Sequence, residues 1–379
     1  MNTPYYIIYE ERIRRNLDLI KEVSERANAK IIMAFKANAL WKTFHIFREY
    51  GIASTASSLN EMQLANEELG CLAHSYCPAY TESTIGHYMR GSSHITFNSI
   101  AQFSRFADTI REFASRPDGH AISCGLRVNP MCSVVDTDIY NPCSPGSRFG
   151  VTARSLNGVW PEGIDGLHFH ALCESTSFDL EKVLASVEAQ FGEFLPKLKW
   201  INMGGGHLMT RNDYNVNHLI SVLNSFKKRH PNLEIILEPG SAFCWQTGDL
   251  EASVVDIVEN SGIYTAIVDV SFACHMPDCL EMPYKPNIAQ SLPEVDPSMP
   301  TYRIGGNSCL SGDVIGDWSF EKPLKVGDRI TFTDMNHYTT VKTHMFNGIH
   351  HPSLLLMHSN GEVEILREFT YDDYKNRMD

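Results

Sequence analysis

The reactive residue types in this sequence fall at the ends of short apolar runs. Lys36 directly follows Ile31–Phe35, Arg127 lies in Ile122–Val128, and His168 and His170 close Gly166–His170. Gly204-Gly205-Gly206 follows Trp200–Met203, and Glu238 ends Glu234–Glu238. A lysine buried at such a place is unfavourable unless it is paired or covalently used, and a Schiff base to a carbonyl cofactor removes its charge. Adjacent glycines let backbone N–H groups approach a phosphate, although a lone triplet commonly makes only a tight turn. A carboxylate at Glu238 can pair with a protonated ring nitrogen through a charge-assisted hydrogen bond worth about 1.5–3 kcal/mol. That keeps a pyridinium able to accept electrons; a lone strand-end glutamate can equally be a solvated charge. His168 and His170 are two apart on one run and share a face. They suit zinc ligation, an imidazole lying flat on an aromatic ring, or a structural role.

These residues need a scaffold that brings strand ends together. Besides the runs above, Ile52–Thr55, His74–Cys77 and His94–Phe97 are short, apolar and followed by helix-like stretches, as buried parallel strands read. Eight such units in succession predict a (β/α)8 barrel, whose active site lies at the C-terminal ends of its strands; an open doubly wound sheet is the alternative. The first helix is predicted over Glu10–Asn28, with Ile13, Leu17 and Ile20 on one face. After about Trp245 the runs Leu250–Val258, Thr265–Val270, Arg329–Thr333 and Glu362–Arg367 alternate between Gly and Pro turns. That texture predicts an α/β chain with the barrel over 10–246 and a β domain (β-barrel or β-sandwich) over 247–379, joined by an N-terminal strand in residues 1–9.

The 379-residue length accommodates a barrel plus a smaller domain. A formal net charge of −13 disfavours nucleic-acid or anionic-membrane partners. No stretch has the length and apolarity of a signal peptide or a bilayer span, so the expected location is cytoplasmic. The ten cysteines include no C-x-x-C pair and are expected to be mostly free, buried thiols.

The joint pattern resembles a known family, the fold type III pyridoxal-phosphate decarboxylases that include ornithine and diaminopimelate decarboxylases. The likeness rests on MAFKAN at Lys36, SRFGV at Ser147–Val151, GLHFHALCES, INMGGGH, LEPGSAF, GGNSCLSGD and HYTTVKTHMFNG, and runs over nearly the whole chain. DVSFACHMPDCLEMPYKP and HFHALCES are most similar to the branch acting on carboxynorspermidine and carboxyspermidine. The resemblance implies an alanine-racemase-like barrel and pyridoxal 5'-phosphate held covalently by Lys36. It places His170 on the ring, Glu238 at the ring nitrogen and Arg127 behind the cofactor. The phosphate would lie on Gly204, Gly205, Gly206, Gly240, Ser241 and Tyr338. It implies no metal. It also implies a homodimer with shared sites, in which Cys309 and Asp313 reach the other subunit's cofactor and Cys309 returns a proton to the product.

Ser241 and Leu310 depart from the diaminopimelate enzymes, which typically carry Arg and Glu there. A substrate with one amino-acid head and a long cationic polyamine tail fits better, with Asp278, Glu281, Asp313 and Tyr338 as candidate contacts. Competing expectations are a diaminopimelate, ornithine or arginine decarboxylase, a non-catalytic pyridoxal-phosphate carrier, and a metal-dependent barrel hydrolase using His168 and His170.

Overall fold

The computed structural model describes residues 1–135 and 141–379. The chain opens with strand β1 (Tyr5–Tyr9) and a helix over Glu10–Ala27. The helix buries Ile13, Leu17, Ile20 and Val23 on the predicted face. Parallel strands follow: β2 (Ala29–Ile31), β3 (Met33–Ala34), β4 (Ser54–Ala56), β5 (Ala73–Tyr76), β6 (Ser92–Phe97), β7 (Ser123–Arg127), β8 (Gly166–His168), β9 (Trp200–Asn202) and β10 (Glu234–Leu237). Their order is β2-β10-β9-β8-β7-β6-β5-β4-β3. The two ends of that order are one stretch of chain. Around Ile32 the hydrogen bonding switches sides: Ile32 N–H donates to Leu237 O (2.9 Å), whereas Met33 N–H donates to Ala53 O (2.9 Å). The sheet therefore closes, and β2 and β3 together fill one of eight positions around a (β/α)8 barrel.

The barrel is packed rather than hollow. Trp200 fills its interior beside Ile32 and Ile236, and the indole N–H donates to Ser123 Oγ at 2.8 Å. The His94 ring meets Trp200 edge-on at 5.4 Å, and the His74 ring stacks on His94 at 3.9 Å. The first strand begins earlier than the run Ile31–Phe35 suggested, because Lys30 joins it and reaches His74 Nε2 at 3.1 Å.

The remaining strands are β11 (Gly248–Asn260), β12 (Ile263–Val268), β13 (Thr301–Gly305), β14 (Val314–Ser319), β15 (Arg329–Phe332), β16 (Ser353–Met357) and β17 (Val363–Arg367). They form one sheet in the order β14-β13-β12-β11-β1-β16-β17, with β15 also on β11. The N-terminal strand β1 joins this sheet, antiparallel to β11 and parallel to β16. Leu250, Val268, Phe272, Ile304, Trp318 and Phe332 build its core.

The chain divides into a barrel unit, Asn16–Phe243, and a sheet unit, Met1–Arg15 with Cys244–Asp379. The first turns of the opening helix go with the sheet unit. There Glu10 accepts from His358 Nδ1 and Ser359 N–H, and Arg12 pairs with Asp249. Among the described residues no helix is long and apolar enough to cross a membrane.

Candidate active site

At the C-terminal ends of the barrel strands lies a cavity of about 630 Å³. Lys36, Arg127, His168, His170, Gly205 and Glu238 all line it. The convergence has a simple origin, since each residue sits at or just past a strand end, His168 at the end of β8 and His170 just past it, and parallel strands of a barrel end on the same rim.

Lys36 Nζ lies 3.5 Å from His170 Nε2. The amine is reachable from the cavity but walled by protein. That desolvation, with the nearby Arg127 charge, lowers its pKa from the usual ammonium value, while Glu238, Cys173 and Glu61 offset part of the effect. A lysine held in this way gives up its proton more readily than a solvated one, which suits it to condensing with an aldehyde. The His170 imidazole is kept neutral by burial and by the Lys36 and Arg127 charges. Its Nδ1 accepts from Gly205 N–H at 3.0 Å, which fixes the ring's orientation.

Glu238 is 12% exposed. Its Oε1 accepts from Asn202 Nδ2 at 2.6 Å, and its Oε2 faces His168 Nε2 at 3.5 Å. Burial pushes the carboxyl up, but His168, Asn202 and Thr55 outweigh it and hold the group below the usual carboxylate range. Arg127, 4% exposed, ends β7. Its guanidinium lies between the Tyr76 and Phe149 rings, at 4.7 and 4.4 Å, and donates to His170 O at 3.4 Å. Arg127 thereby braces the His170 segment.

The glycine run narrows. Gly204 N–H donates to Asn202 Oδ1 at 2.9 Å and Gly205 N–H to His170. Two of the three amides expected to cradle a phosphate are therefore engaged inside the barrel rim, and Gly206 is the remaining candidate in the run. Gly206 has φ +89°, and a Cβ there would lie 2.5 Å from the Leu172 carbonyl carbon, so only glycine fits. Gly240 is held as closely, since a Cβ there would come 2.4 Å from Ala37 Cβ.

Sequence reasoning did not single out Asn202, Tyr76 or Asn98. Asn202 sits two residues before Gly204, on the strand that carries the run. Asn98 Oδ1 accepts from Tyr76 O–H (3.0 Å) and Gly150 N–H (2.8 Å), and its Nδ2 donates to Arg148 O (2.7 Å). It thereby staples the SRFGV segment to the cavity mouth. Among the described residues no group of three His, Cys, Asp or Glu is arranged to hold a metal ion; His168 and His170 meet Glu238 and Lys36 instead.

Within the sheet unit, Cys309 is exposed on the loop between β13 and β14, and its N–H donates to Asn347 Oδ1 at 2.9 Å. Asp313, expected at the substrate, is 3% exposed. Its Oδ1 accepts from Ala273 N–H (3.0 Å), and its Oδ2 accepts from Ser308 N–H (3.2 Å) and Ser308 Oγ (2.6 Å). Asp313 shapes the loop that presents Cys309, and its carboxylate is committed to that task. Asp278 and Glu281 are not bare anions either: Lys342 Nζ lies 2.6 Å from the first and 2.5 Å from the second. Tyr338 holds φ +52°, a left-handed conformation that is unfavourable for an aromatic residue, with the Lys342 amine 6.0 Å from its ring centroid.

The barrel rim suits pyridoxal phosphate. It offers an accessible amine, a neutral imidazole for the ring and an ionised carboxylate for the ring nitrogen. Comparison with known proteins agrees. A family model for the pyridoxal-dependent decarboxylase, C-terminal sheet domain, matches residues 44–336. The chain is 44% identical to a carboxyaminopropylagmatine decarboxylase from Synechocystis sp., over 99% of this chain and 95% of that protein. It is 39% identical to a carboxynorspermidine/carboxyspermidine decarboxylase from Campylobacter jejuni, over 100% of this chain and 98% of that protein. The crystal structure of carboxynorspermidine decarboxylase complexed with norspermidine, also from Campylobacter jejuni, superposes with a TM-score of 0.90 at 38% identity, covering 100% of both chains. A barrel rim built for an aldehyde cofactor and full-length likeness to enzymes that remove carboxylate groups lead to one assignment: the chain belongs to the pyridoxal-phosphate-dependent decarboxylase family and is a carboxy-lyase.

Proposed function

We propose that this enzyme decarboxylates carboxynorspermidine, carboxyspermidine or both, giving norspermidine and spermidine. The observation that carries the reading is the full-length likeness, at TM-score 0.90, to a decarboxylase complexed with norspermidine.

Bound pyridoxal phosphate supplies an electron-accepting ring for the pair released when the Cα–carboxylate bond breaks. The chain's own residues do the rest. Lys36 Nζ would hold the cofactor covalently. His170, fixed by Gly205, would support the ring. Glu238, ionised and oriented by Asn202, keeps a proton on the ring nitrogen. Gly206 N–H and the Gly240-Ser241 turn would hold the phosphate. Cys309 Sγ carries the proton that returns to Cα. The enzyme is a cytoplasmic homodimer in this reading, and Cys309 serves the partner's cofactor. The substrate tail is cationic, and the Asp278–Glu281 pair retains one net negative charge after Lys342 is counted, which suits a tail amine.

A second reading has specific support. The 44% identical Synechocystis relative is a carboxyaminopropylagmatine decarboxylase, whose named substrate ends in a guanidinium rather than an amine. Release of CO2 measured with carboxynorspermidine, carboxyspermidine, carboxyaminopropylagmatine, meso-diaminopimelate, ornithine and arginine separates the readings. The proposal expects the highest kcat/KM for one of the first two. A clear preference for the guanidino compound selects the second reading, and a preference for any of the last three overturns both. Mixing Lys36→Ala with Cys309→Ala subunits restores activity if sites are shared; no restoration removes Cys309 from the partner's site.

A further inference from the structure

His168 has no place in the roles above, yet it is the most enclosed ionisable ring at the cavity. It is 2% exposed, and the Tyr76 ring packs against it at 5.3 Å. Nδ1 has no hydrogen-bond partner among the described residues. Nε2 likewise makes no hydrogen bond among the described residues, and Glu238 Oε2 lies 3.5 Å from it, just beyond good hydrogen-bond geometry. The charged groups acting on it are Glu238, Arg127 and Lys36. Burial and those two cations keep the imidazole neutral, with Glu238 opposing them. A neutral imidazole carries a single N–H. Placed on Nδ1, it would point at no acceptor and leave the Nε2 lone pair against a carboxylate. Placed on Nε2, it points at Glu238 Oε2. Asn202 already donates to Oε1 of the same group.

We propose that His168 is a positioning residue for decarboxylation: as the neutral Nε2–H tautomer it donates to Glu238 Oε2 and, with Asn202 on Oε1, locks the carboxylate ionised and aimed at the cofactor ring nitrogen. His168 touches neither substrate nor the reacting atoms; it acts through Glu238. The inference rests on the pyridoxal-phosphate reading of the site. It also separates His168 from His170, which shares its face but orients on Gly205.

The test compares wild-type holoenzyme with His168→Gln, whose amide keeps a donor near the Nε2 position, and His168→Phe, which keeps the ring volume without one. The visible absorbance of bound cofactor is titrated with pH in the absence of substrate, and kcat and KM are measured separately. The expected result for His168→Phe is a retained cofactor band whose acid transition moves toward neutral pH. Its kcat falls about tenfold, the loss of one hydrogen bond to a charged group, with KM unchanged. His168→Gln restores both the titration and most of kcat. A His168→Phe enzyme that matches wild type in both readouts overturns the proposal, as does a His168→Gln enzyme no better than His168→Phe. If His168→Phe fails to fold, the ¹⁵N-histidine spectrum of the wild-type holoenzyme decides. A neutral Nε2–H ring supports the assignment, and an Nδ1–H or doubly protonated ring refutes it. Wild-type protein that binds no pyridoxal phosphate contradicts the cofactor reading itself, and the same ¹⁵N spectrum then judges the His168–Glu238 contact independently.

Discussion

Replacing Glu238 by Gln changes one atom type and removes one charge at the group that faces the ring nitrogen. The geometry predicts how the amide settles. Asn202 Nδ2 donates to Oε1 at 2.6 Å and needs an acceptor there, so the Gln carbonyl takes that position. The amide NH2 then occupies the place of Oε2, facing His168 Nε2 and the cofactor. A donor stands where the wild-type enzyme has an anionic acceptor, and the ring nitrogen loses the partner that holds its proton. The lost charge-assisted hydrogen bond is worth about 1.5–3 kcal/mol, which at about 1.4 kcal/mol per decade lowers kcat roughly tenfold to a hundredfold. Volume and shape are unchanged, so cofactor stays bound and the fold stays intact. The assay is CO2 release under saturating substrate, with bound cofactor quantified by its absorbance. A Glu238→Gln enzyme with full cofactor and kcat within threefold of wild type would refute the electron-acceptor role of the ring-nitrogen contact.

Further expectations follow from particular contacts. His94 and His207 are pushed down to about 4, chiefly by burial. Their native pKa values lie below that of the free imidazole, about 6.5, so the unfolded chain takes up protons first as pH falls. Stability is then lost between roughly pH 6.5 and 4, by about 3 kcal/mol per residue at the lower end. Urea unfolding across that range should show a steep fall in midpoint, and a flat profile contradicts the burial argument. Gly206→Ala must move backbone at Leu172 and adopt a left-handed conformation, so cofactor affinity should fall at least about tenfold in equilibrium dialysis; unchanged affinity removes Gly206 from the phosphate site. Lys342→Met leaves Asp278 and Glu281 without their shared cation. With the competing cation gone, KM for polyamine-tailed substrates should fall by about tenfold while cofactor absorbance stays unchanged; an unaltered or raised KM places the trio away from the substrate tail.

The barrel was readable because parallel strands buried on both faces appear as continuous apolar runs, and each run led directly into a reactive residue. Lys36, Arg127, His170, Gly205 and Glu238 converge for that reason alone. The sheet unit was harder. Thr301–Gly305 and Val314–Ser319 went unread because Arg303, Gly316 and Asp317 interrupt their apolar pattern, Arg303 and Asp317 pairing across the two strands at 2.9 Å. Ser353–Met357 is short and was passed over between turns, although it lies beside β1. The commitments of the site residues were invisible for a different reason. Asp313 bonded to Ala273, Gly205 to His170, and Lys342 between Asp278 and Glu281 are contacts between residues far apart in sequence. Local spacing carries no record of them.

The central claim is that the amine at the mouth of the first barrel strand carries the cofactor. Borohydride reduction of the holoenzyme, proteolysis and mass spectrometry test it most directly. A phosphopyridoxyl group on the peptide containing Lys36, absent from Lys36→Ala protein, is the predicted result. A modified peptide from any other lysine, or no modified peptide from protein that retains its visible absorbance, would contradict it.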